Sequence, residues 1–226
     1  MVRGTLLGLT PLSRVLDIAS GTGSSALFLA ERFGCEVLGI DYSARSVTQA
    51  NAEAAGRGMG AHVRFEQGDA EHLHLEDTTF DAVICECAFC TFPDKPAAAR
   101  EFARVLAPGG GVGLSDLTRG PVLPEDLNGL LAWIACIADA QPAERYAEYL
   151  TDAGLRVERT EPCDEALLEM VNQVRVRLLG AEIMVGLKKL DLPGVDLAAA
   201  KQIAQAALAA IRRGDLGYAI VHAAKA

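Results

Sequence analysis

The stretch Arg14-Val15-Leu16-Asp17-Ile18-Ala19-Ser20-Gly21-Thr22-Gly23 decides the fold. It is a short apolar run that stops at glycines, and helical spacing follows over residues 25–32. Apolar runs of this kind are typical of strands that are buried on both faces of a parallel sheet. Glycines let a backbone approach a ligand closely and adopt the positive φ angles of a tight turn. The stretch therefore predicts a first strand, a ligand-binding turn and a helix.

The same alternation continues along the chain. Further strands are predicted over 36–40 (closed by Asp41), 63–67, 80–85, 112–116, 155–161 and 216–223, and helices over 43–55, 95–106, 143–153, 165–190 and 198–213. Alternating strands and helices indicate the α/β class, here a doubly wound, seven-stranded, mostly parallel sheet whose last strand is antiparallel. We expect helical insertions after strand five (121–142, covering the active site) and between strands six and seven (165–214), within a single domain over 1–226.

Composition excludes several classes of protein. Half of the 226 residues are hydrophobic, which excludes a disordered chain. The net charge is −9 and no basic stripe is present, so nucleic acid is not an expected partner. No apolar run is long enough to span a membrane. The six cysteines are interpreted as free thiols of a cytoplasmic protein. We expect a small-molecule substrate, and a monomer or homodimer.

Acidic residues follow the second and third predicted strands. Asp41 lies about twenty residues past Gly21, where a carboxylate can accept both ribose hydroxyls of an adenosine. Asp69 and Ala70 follow the third strand, where an acid can meet an adenine amino group. The pattern Gly21-x-Gly23-x-x-Ala26 also fits the dinucleotide fingerprint of dehydrogenases, so the glycine turn alone leaves two nucleotide-binding classes open.

The order of motifs over roughly residues 12–160 resembles that of the class I S-adenosylmethionine-dependent methyltransferases. Its most specific part is Arg104-Val105-Leu106-Ala107-Pro108-Gly109-Gly110, after the turn, the two acidic positions and Phe80-Asp81-Ala82-Val83-Ile84. The resemblance implies a Rossmann-like fold and S-adenosylmethionine as cofactor. It places the ribose on Asp41, the adenine beside Tyr42, Asp69 and Ala70, and the methionine part near Asp17, Ala19, Ser20, Gly21 and Gly23. Ala19 stands where the family usually has glycine, so we expect φ to be negative there.

The segment after the fourth strand, Cys85-Glu86-Cys87-Ala88-Phe89-Cys90-Thr91-Phe92-Pro93-Asp94-Lys95, resembles the arsenite methyltransferases. A second segment, Leu131-Ala132-Trp133-Ile134-Ala135-Cys136, resembles that family's aromatic-then-cysteine pattern. The resemblance implies that Cys87 and Cys136 hold trivalent arsenic, for which thiolates are suitable soft ligands. The arsenic lone pair would then be the nucleophile. Glu86 is expected to contact the cofactor or the acceptor, and no metal cofactor is expected.

Two other functions remain open. The chain could methylate an oxygen, nitrogen or carbon atom of an organic metabolite, with the cysteines only lining a pocket, since free cysteine often packs as a small hydrophobe. It could also be a non-catalytic cofactor-binding or scaffold protein. A methyl-transfer assay with defined acceptors distinguishes these possibilities.

Overall fold

The computed structural model describes residues 7–120 and 139–226. By their contacts the residues form two compact units. The first comprises the chain up to Asp116, Ala143–Glu161 and Ile220–Ala226; the second comprises Leu117–Pro142 and Pro162–Ala219. That the whole chain is one domain stays a prediction. No helix among the described residues is both long enough and apolar enough to cross a bilayer.

Strands and helices alternate as the sequence predicts. The elements are β1 (Arg14–Ile18), α1 (Ser24–Phe33), β2 (Glu36–Asp41), α2 (Ala44–Gly56), β3 (Val63–Gln67), β4 (Phe80–Glu86), a 3-10 turn (Phe89–Thr91), α3 (Lys95–Val105), β5 (Leu106–Arg119), α4 (Ala143–Asp152), β6 (Arg156–Pro162), α5 (Asp164–Gly186), α6 (Leu197–Arg213) and β7 (Leu216–Ala224). Ser43 caps α2, because its side chain accepts a hydrogen bond from the backbone N–H of Ser46 at 3.2 Å.

The seven strands form one sheet in the order β3-β2-β1-β4-β5-β7-β6. The pairs β1–β2, β1–β4, β2–β3 and β4–β5 are parallel. Backbone hydrogen bonds of 3.0 Å join Gly109 to Lys225 and Gly120 to Asp215, so β7 runs antiparallel to β5. The predicted doubly wound, mostly parallel sheet is confirmed. The strand order reverses between β1 and β4, and ligands bind at such a reversal, beyond the carboxyl ends of the strands.

The central strands β1 and β4 are largely apolar because both of their faces are covered. Within β1, every residue from Val15 to Ile18 is buried, and Val15 packs with α1 and α2 residues such as Leu27 and Ala50. In the second unit, α5 and α6 pack against each other, with Leu167, Ala207 and Ile211 in a separate apolar cluster. Burial of this kind supplies the main driving force for folding.

Strand β5 and helix α5 differ most from the sequence prediction. Strand β5 begins at Leu106 and not at residue 112, because Leu106 pairs with Phe80 and Lys225 bonds to the Gly109–Gly110 stretch. Helix α5 ends at Gly186, not at residue 190. The helices α5 and α6 lie between β6 and β7, as expected. Of the expected insertion at 121–142, residues 121–138 lie outside the described residues.

Candidate functional site

The turn from β1 to α1 is built by positive backbone angles. Ala19, Gly21 and Gly23 have φ angles of 55°, 55° and 85°. A Cβ atom added at Gly23 would lie 2.4 Å from the ring of Phe65, whereas nothing lies within 4 Å of the corresponding point at Gly21. Gly23 is therefore required by packing, and Gly21 borders open space that a ligand can occupy.

The prediction that Ala19 keeps a negative φ is wrong. The Ser20 N–H donates to the Ile40 carbonyl at 3.0 Å, and the Gly23 N–H donates to the Ser20 carbonyl at 2.9 Å. These two hydrogen bonds fix the turn over the end of β2, and Ala19 adopts the left-handed conformation that the turn requires. An L-residue in this conformation costs roughly 1–2 kcal/mol, which the surrounding structure must offset.

Asp41 holds the glycine turn and the start of α2 together. One carboxylate oxygen accepts the backbone N–H of Gly21 at 2.7 Å, and the other accepts that of Ser43 at 2.9 Å. Asp41 is half-buried. A carboxylate offers about four acceptor positions, so each oxygen can accept another hydrogen bond from a ligand hydroxyl.

Asp17 lies at the base of the same turn with only 2% of its surface exposed. Its Oδ2 atom has no hydrogen-bond partner among the described residues. Burial, reinforced by the charges of Glu86 and Asp41, raises the pKa of Asp17 well above its ordinary value, although a hydrogen bond to the Ala26 backbone opposes the shift. A buried carboxyl oxygen without a hydrogen-bond partner is costly, so this position suits a ligand that carries a donor or a positive charge.

Glu86 ends β4, the strand beside β1, and a hydrogen bond from Ser25 in the first turn of α1 fixes its carboxylate. Glu86 was predicted from the sequence as a site residue, whereas Ser25 was not. The only signal for Ser25 was its position just after the glycine turn, because the two residues lie 61 positions apart in the chain. Asp17, Asp41 and Glu86 thus place three carboxyl groups at this end of the sheet.

A cavity of about 450 Å³ adjoins the turn, a size typical of small-molecule sites. It is lined by Ala19, Ile40, Asp41, Tyr42, Gly68, Asp69, Ala70, Glu71, Thr91, Phe92 and Pro93. Tyr42 is largely exposed, and Asp69 accepts the backbone N–H of Glu71 at 2.9 Å. The structure therefore brings together the predicted residues Ala19, Asp41, Tyr42, Asp69 and Ala70. Sequence analysis missed the wall formed by Thr91–Pro93.

The described cysteines differ sharply in accessibility. Cys87 is exposed and has a φ of 53°, in the loop that follows β4. Cys85 and Cys90 are fully buried, and burial raises the pKa of the Cys85 thiol well above its ordinary value. The predicted second thiol, Cys136, lies outside the described residues. No group of three or more His, Cys, Asp or Glu residues in the described ranges could hold a metal ion.

The loop after β4 is anchored to the end of β5 by two backbone donors. The Cys87 N–H donates to the Ser115 carbonyl at 2.8 Å, and the Cys90 N–H donates to the buried Asp116 carboxylate at 2.8 Å. Asp116 was missed as a site residue, although a polar residue at the end of an apolar strand is a usable signal. These two hydrogen bonds fix the backbone of the loop that carries the Cys87 side chain.

Part of the chain is similar to a known protein family. Residues 15–110 match the model of a family described as a methyltransferase domain. Phosphoethanolamine N-methyltransferase 1 of Arabidopsis thaliana is 32% identical over 167 residues, which cover 69% of this chain and 34% of that protein. Arsenite methyltransferase of Halobacterium salinarum is 28% identical over 161 residues, covering 70% of this chain and 41% of that protein.

A solved structure shares the fold over nearly the whole chain. Phosphoethanolamine N-methyltransferase 2 of Haemonchus contortus, in complex with phosphomonomethylethanolamine and S-adenosylhomocysteine, superposes with a TM-score of 0.82 at 21% identity, covering 99% of this chain and 52% of that one. The chain spans about a third of the length of the first curated relatives. Residues 15–110 thus match the methyltransferase-domain family, and the solved structure shares the Rossmann-like fold of this chain.

Proposed function

We propose that this chain, whose residues 15–110 match a family described as a methyltransferase domain, is an S-adenosylmethionine-dependent methyltransferase of a small molecule. The observation that carries the proposal is the arrangement around Asp41. Its carboxylate is held by the Gly21 and Ser43 N–H groups, and it faces a cavity of about 450 Å³ beside the open space over Gly21. This is the arrangement that a nucleoside ligand needs at the reversal point of a doubly wound sheet.

The residues present fit the cofactor. The buried Asp17 oxygen, which has no partner in the described part of the chain, and the open space over Gly21 suit the cationic methionine part. Ala19, Ser20 and Gly23 form the turn beneath it. Asp41 would accept the ribose hydroxyls, while Tyr42, Asp69 and Ala70 would border the adenine. When bound, S-adenosylmethionine supplies an electrophilic methyl group on a positively charged sulfur.

The protein contributes to the reaction by positioning the two reactants and by placing charged side chains near them. Ser25 holds the Glu86 carboxylate at the end of β4, next to the β1 turn, where it can orient a bound amino group or an acceptor. Fixed negative groups near a cationic ligand act strongly when water is excluded from the site. Correct placement of two reactants can remove several kcal/mol from a reaction barrier.

Calorimetric titration with S-adenosylmethionine tests the cofactor site. Replacing Asp41 by Asn should weaken binding at least about tenfold, because a charge-assisted hydrogen bond is worth roughly 1.5–3 kcal/mol. Asp152→Asn, an exposed change at the end of α4, should bind like the native chain. Binding that is absent in the native chain, or unchanged in Asp41→Asn, would refute the site. Binding without methyl transfer to any acceptor would favour a scaffold or non-catalytic role.

For the acceptor we propose trivalent arsenic, with Cys87 as one thiolate ligand. Cys87 supports this assignment as the exposed thiol at the carboxyl end of β4, in a loop fixed by Ser115 and Asp116. Cys136 is proposed as the second ligand on the basis of the sequence resemblance. The similarity to an arsenite methyltransferase, at 28% identity, supports the same acceptor.

The second candidate is an organic amine. It is supported by the carboxylates that border the site (Asp69 and Glu71 at the cavity, Glu86 beside it) and by the similarity to phosphoethanolamine N-methyltransferases. Arsenite with added thiol and phosphoethanolamine would be assayed in parallel. If arsenic is the acceptor, Cys87→Ser abolishes methylarsenic formation, while Cys163→Ser, in the second unit, retains it. Methylation of the amine alone, unaffected by Cys87→Ser, would exclude arsenic.

A further inference from the structure

The ring of Phe65 fills the space under the glycine turn. Phe65 lies in β3 and is 4% exposed. A Cβ atom added at Gly23 would lie 2.4 Å from its Cζ atom, and one added at Gly39 would lie 2.3 Å from its Cδ1 atom. One ring therefore contacts both the N-cap residue of α1 and the middle of β2. Because protein interiors are close-packed, the size of this ring sets the distance between the turn and β3.

Asn51 of α2 fixes the backbone of Phe65. Its side-chain amide donates to the Phe65 carbonyl at 2.8 Å and accepts the Phe65 N–H at 3.1 Å. In β3 the even-numbered positions bond to β2, as in the 2.9 Å hydrogen bond from the Val37 N–H to the His62 carbonyl. Since β3 is the end strand of the sheet, the backbone groups of Phe65 point to its outer edge. There the Asn51 amide satisfies the two groups that a further strand would otherwise pair with.

The turn that lies on the ring also makes two hydrogen bonds to the end of β2. The Gly21 N–H donates to the Asp41 carboxylate at 2.7 Å, and the Ser20 N–H donates to the Ile40 carbonyl at 3.0 Å. A turn that moved toward β3 would bend both hydrogen bonds, and such bonds weaken steeply as their angle falls. The Phe65 ring therefore maintains the geometry of the turn without being part of it.

We propose that Asn51 and Phe65 are positioning residues that keep the glycine turn in the geometry that binds S-adenosylmethionine. This inference rests on the proposed function of the chain. Neither side chain is among the described residues that line the cavity beside Asp41, so both act through the turn and not on the ligand. Replacing either one should leave every binding residue present but misplaced.

Amide hydrogen exchange in the ligand-free protein tests the geometry by itself. Phe65→Leu removes the part of the ring nearest Gly23. The amides of Ser20, Gly21 and Gly23 should then exchange at least about fivefold faster, because weaker hydrogen bonds lower the free energy of local opening. Phe80→Leu is the matched control, since Phe80 is 3% exposed and begins β4 at the opposite end of the sheet. Equal protection of the turn in both variants would overturn the proposal, whether or not the chain binds the cofactor.

Calorimetric titration with S-adenosylmethionine, well below the melting temperature of each variant, tests the effect on the site. Phe65→Leu and Asn51→Ala should each raise the dissociation constant at least about fivefold, because the turn no longer holds its hydrogen-bonding groups in place. Phe80→Leu and Gln49→Ala, an exposed change on α2, should bind like the native chain. A native chain that does not bind would refute the proposed function. Native-like binding by Phe65→Leu or Asn51→Ala would refute only the positioning role of that residue.

Discussion

At the scale of single residues, Asp17 shows how a ligand site is prepared at the expense of stability. Its buried carboxyl has a raised pKa in the folded chain, first because of burial and then because of Glu86 and Asp41. The unfolded value is about 3.9. The protonated group therefore stabilises the fold fully below pH about 4, and this contribution is lost as the pH rises through the folded-state pKa.

Asp17→Asn should consequently raise the stability of the ligand-free protein at neutral pH, by a few degrees in melting temperature, and weaken binding of S-adenosylmethionine. The gain should shrink as the pH falls toward about 4, where the native carboxyl is protonated in both states. Urea unfolding at several pH values measures this difference. Asp152→Asn, in an exposed position, should show no such pH dependence. A less stable Asp17→Asn protein at pH 7 would contradict the assignment.

At the scale of elements, the Phe65 ring of β3 lies so close to Gly39 of β2 that this position requires glycine. A Cβ atom at Gly39 would lie 2.3 Å from the Phe65 ring and 2.8 Å from the Ser20 hydroxyl. Gly39→Ala should cost about 1–3 kcal/mol of unfolding free energy, because the core must shift to accept it. Gly56→Ala, at the end of α2 with open space around it, should gain roughly 0.5–1 kcal/mol. Denaturant unfolding of both variants should give opposite signs.

Helix α3 holds the loop that forms one wall of the cavity. Arg104 donates to the carbonyls of Leu73 and Leu75 at 2.9 and 2.7 Å and to the Asp77 carboxylate at 2.6 Å. It also pairs with Glu101 at 2.8 Å, and Glu101 in turn accepts the Leu73 N–H at 2.7 Å. Side chains of α3 therefore fix the loop that contains Asp69 and Glu71.

Arg104→Gln should destabilise the chain by about 1–3 kcal/mol and raise the dissociation constant for S-adenosylmethionine several-fold, because the wall loses its support. Arg104→Lys should restore part of the stability but little of the affinity, since a single ammonium group cannot reach all four acceptors. Arg100→Gln on the exposed side of α3 is the control. Unchanged affinity for S-adenosylmethionine in Arg104→Gln would show that the loop holds its shape without the Arg104 hydrogen bonds.

Secondary-structure elements were predicted from the sequence more accurately than backbone conformations and side-chain contacts. Strands such as Arg14–Ile18 and Phe80–Glu86 were placed correctly because buried parallel strands are largely apolar runs with clear ends. The left-handed Ala19 could not be read from its side chain, because hydrogen bonds from a different strand impose it. The Ser25–Glu86 contact joins elements that only the sheet order brings together.

At the scale of the whole molecule, the candidate cofactor residues all lie in the first compact unit, between Asp17 and Glu86. The strands β5, β6 and β7 each contribute residues to both units. Because residues of the same strands belong to both units, we expect a single cooperative unfolding transition.

A ligand that binds only the folded chain should then stabilise the entire molecule. S-adenosylhomocysteine at about one hundred times its dissociation constant should add about 2.7 kcal/mol, which corresponds to a rise of roughly 5–10 °C in melting temperature for a chain of this size. Calorimetry should show one transition that moves as a whole, and Asp41→Asn should lose most of the shift at the same ligand concentration. Two transitions, of which only one moves, would show that the units unfold separately and that the second unit is stable without the ligand-binding sheet.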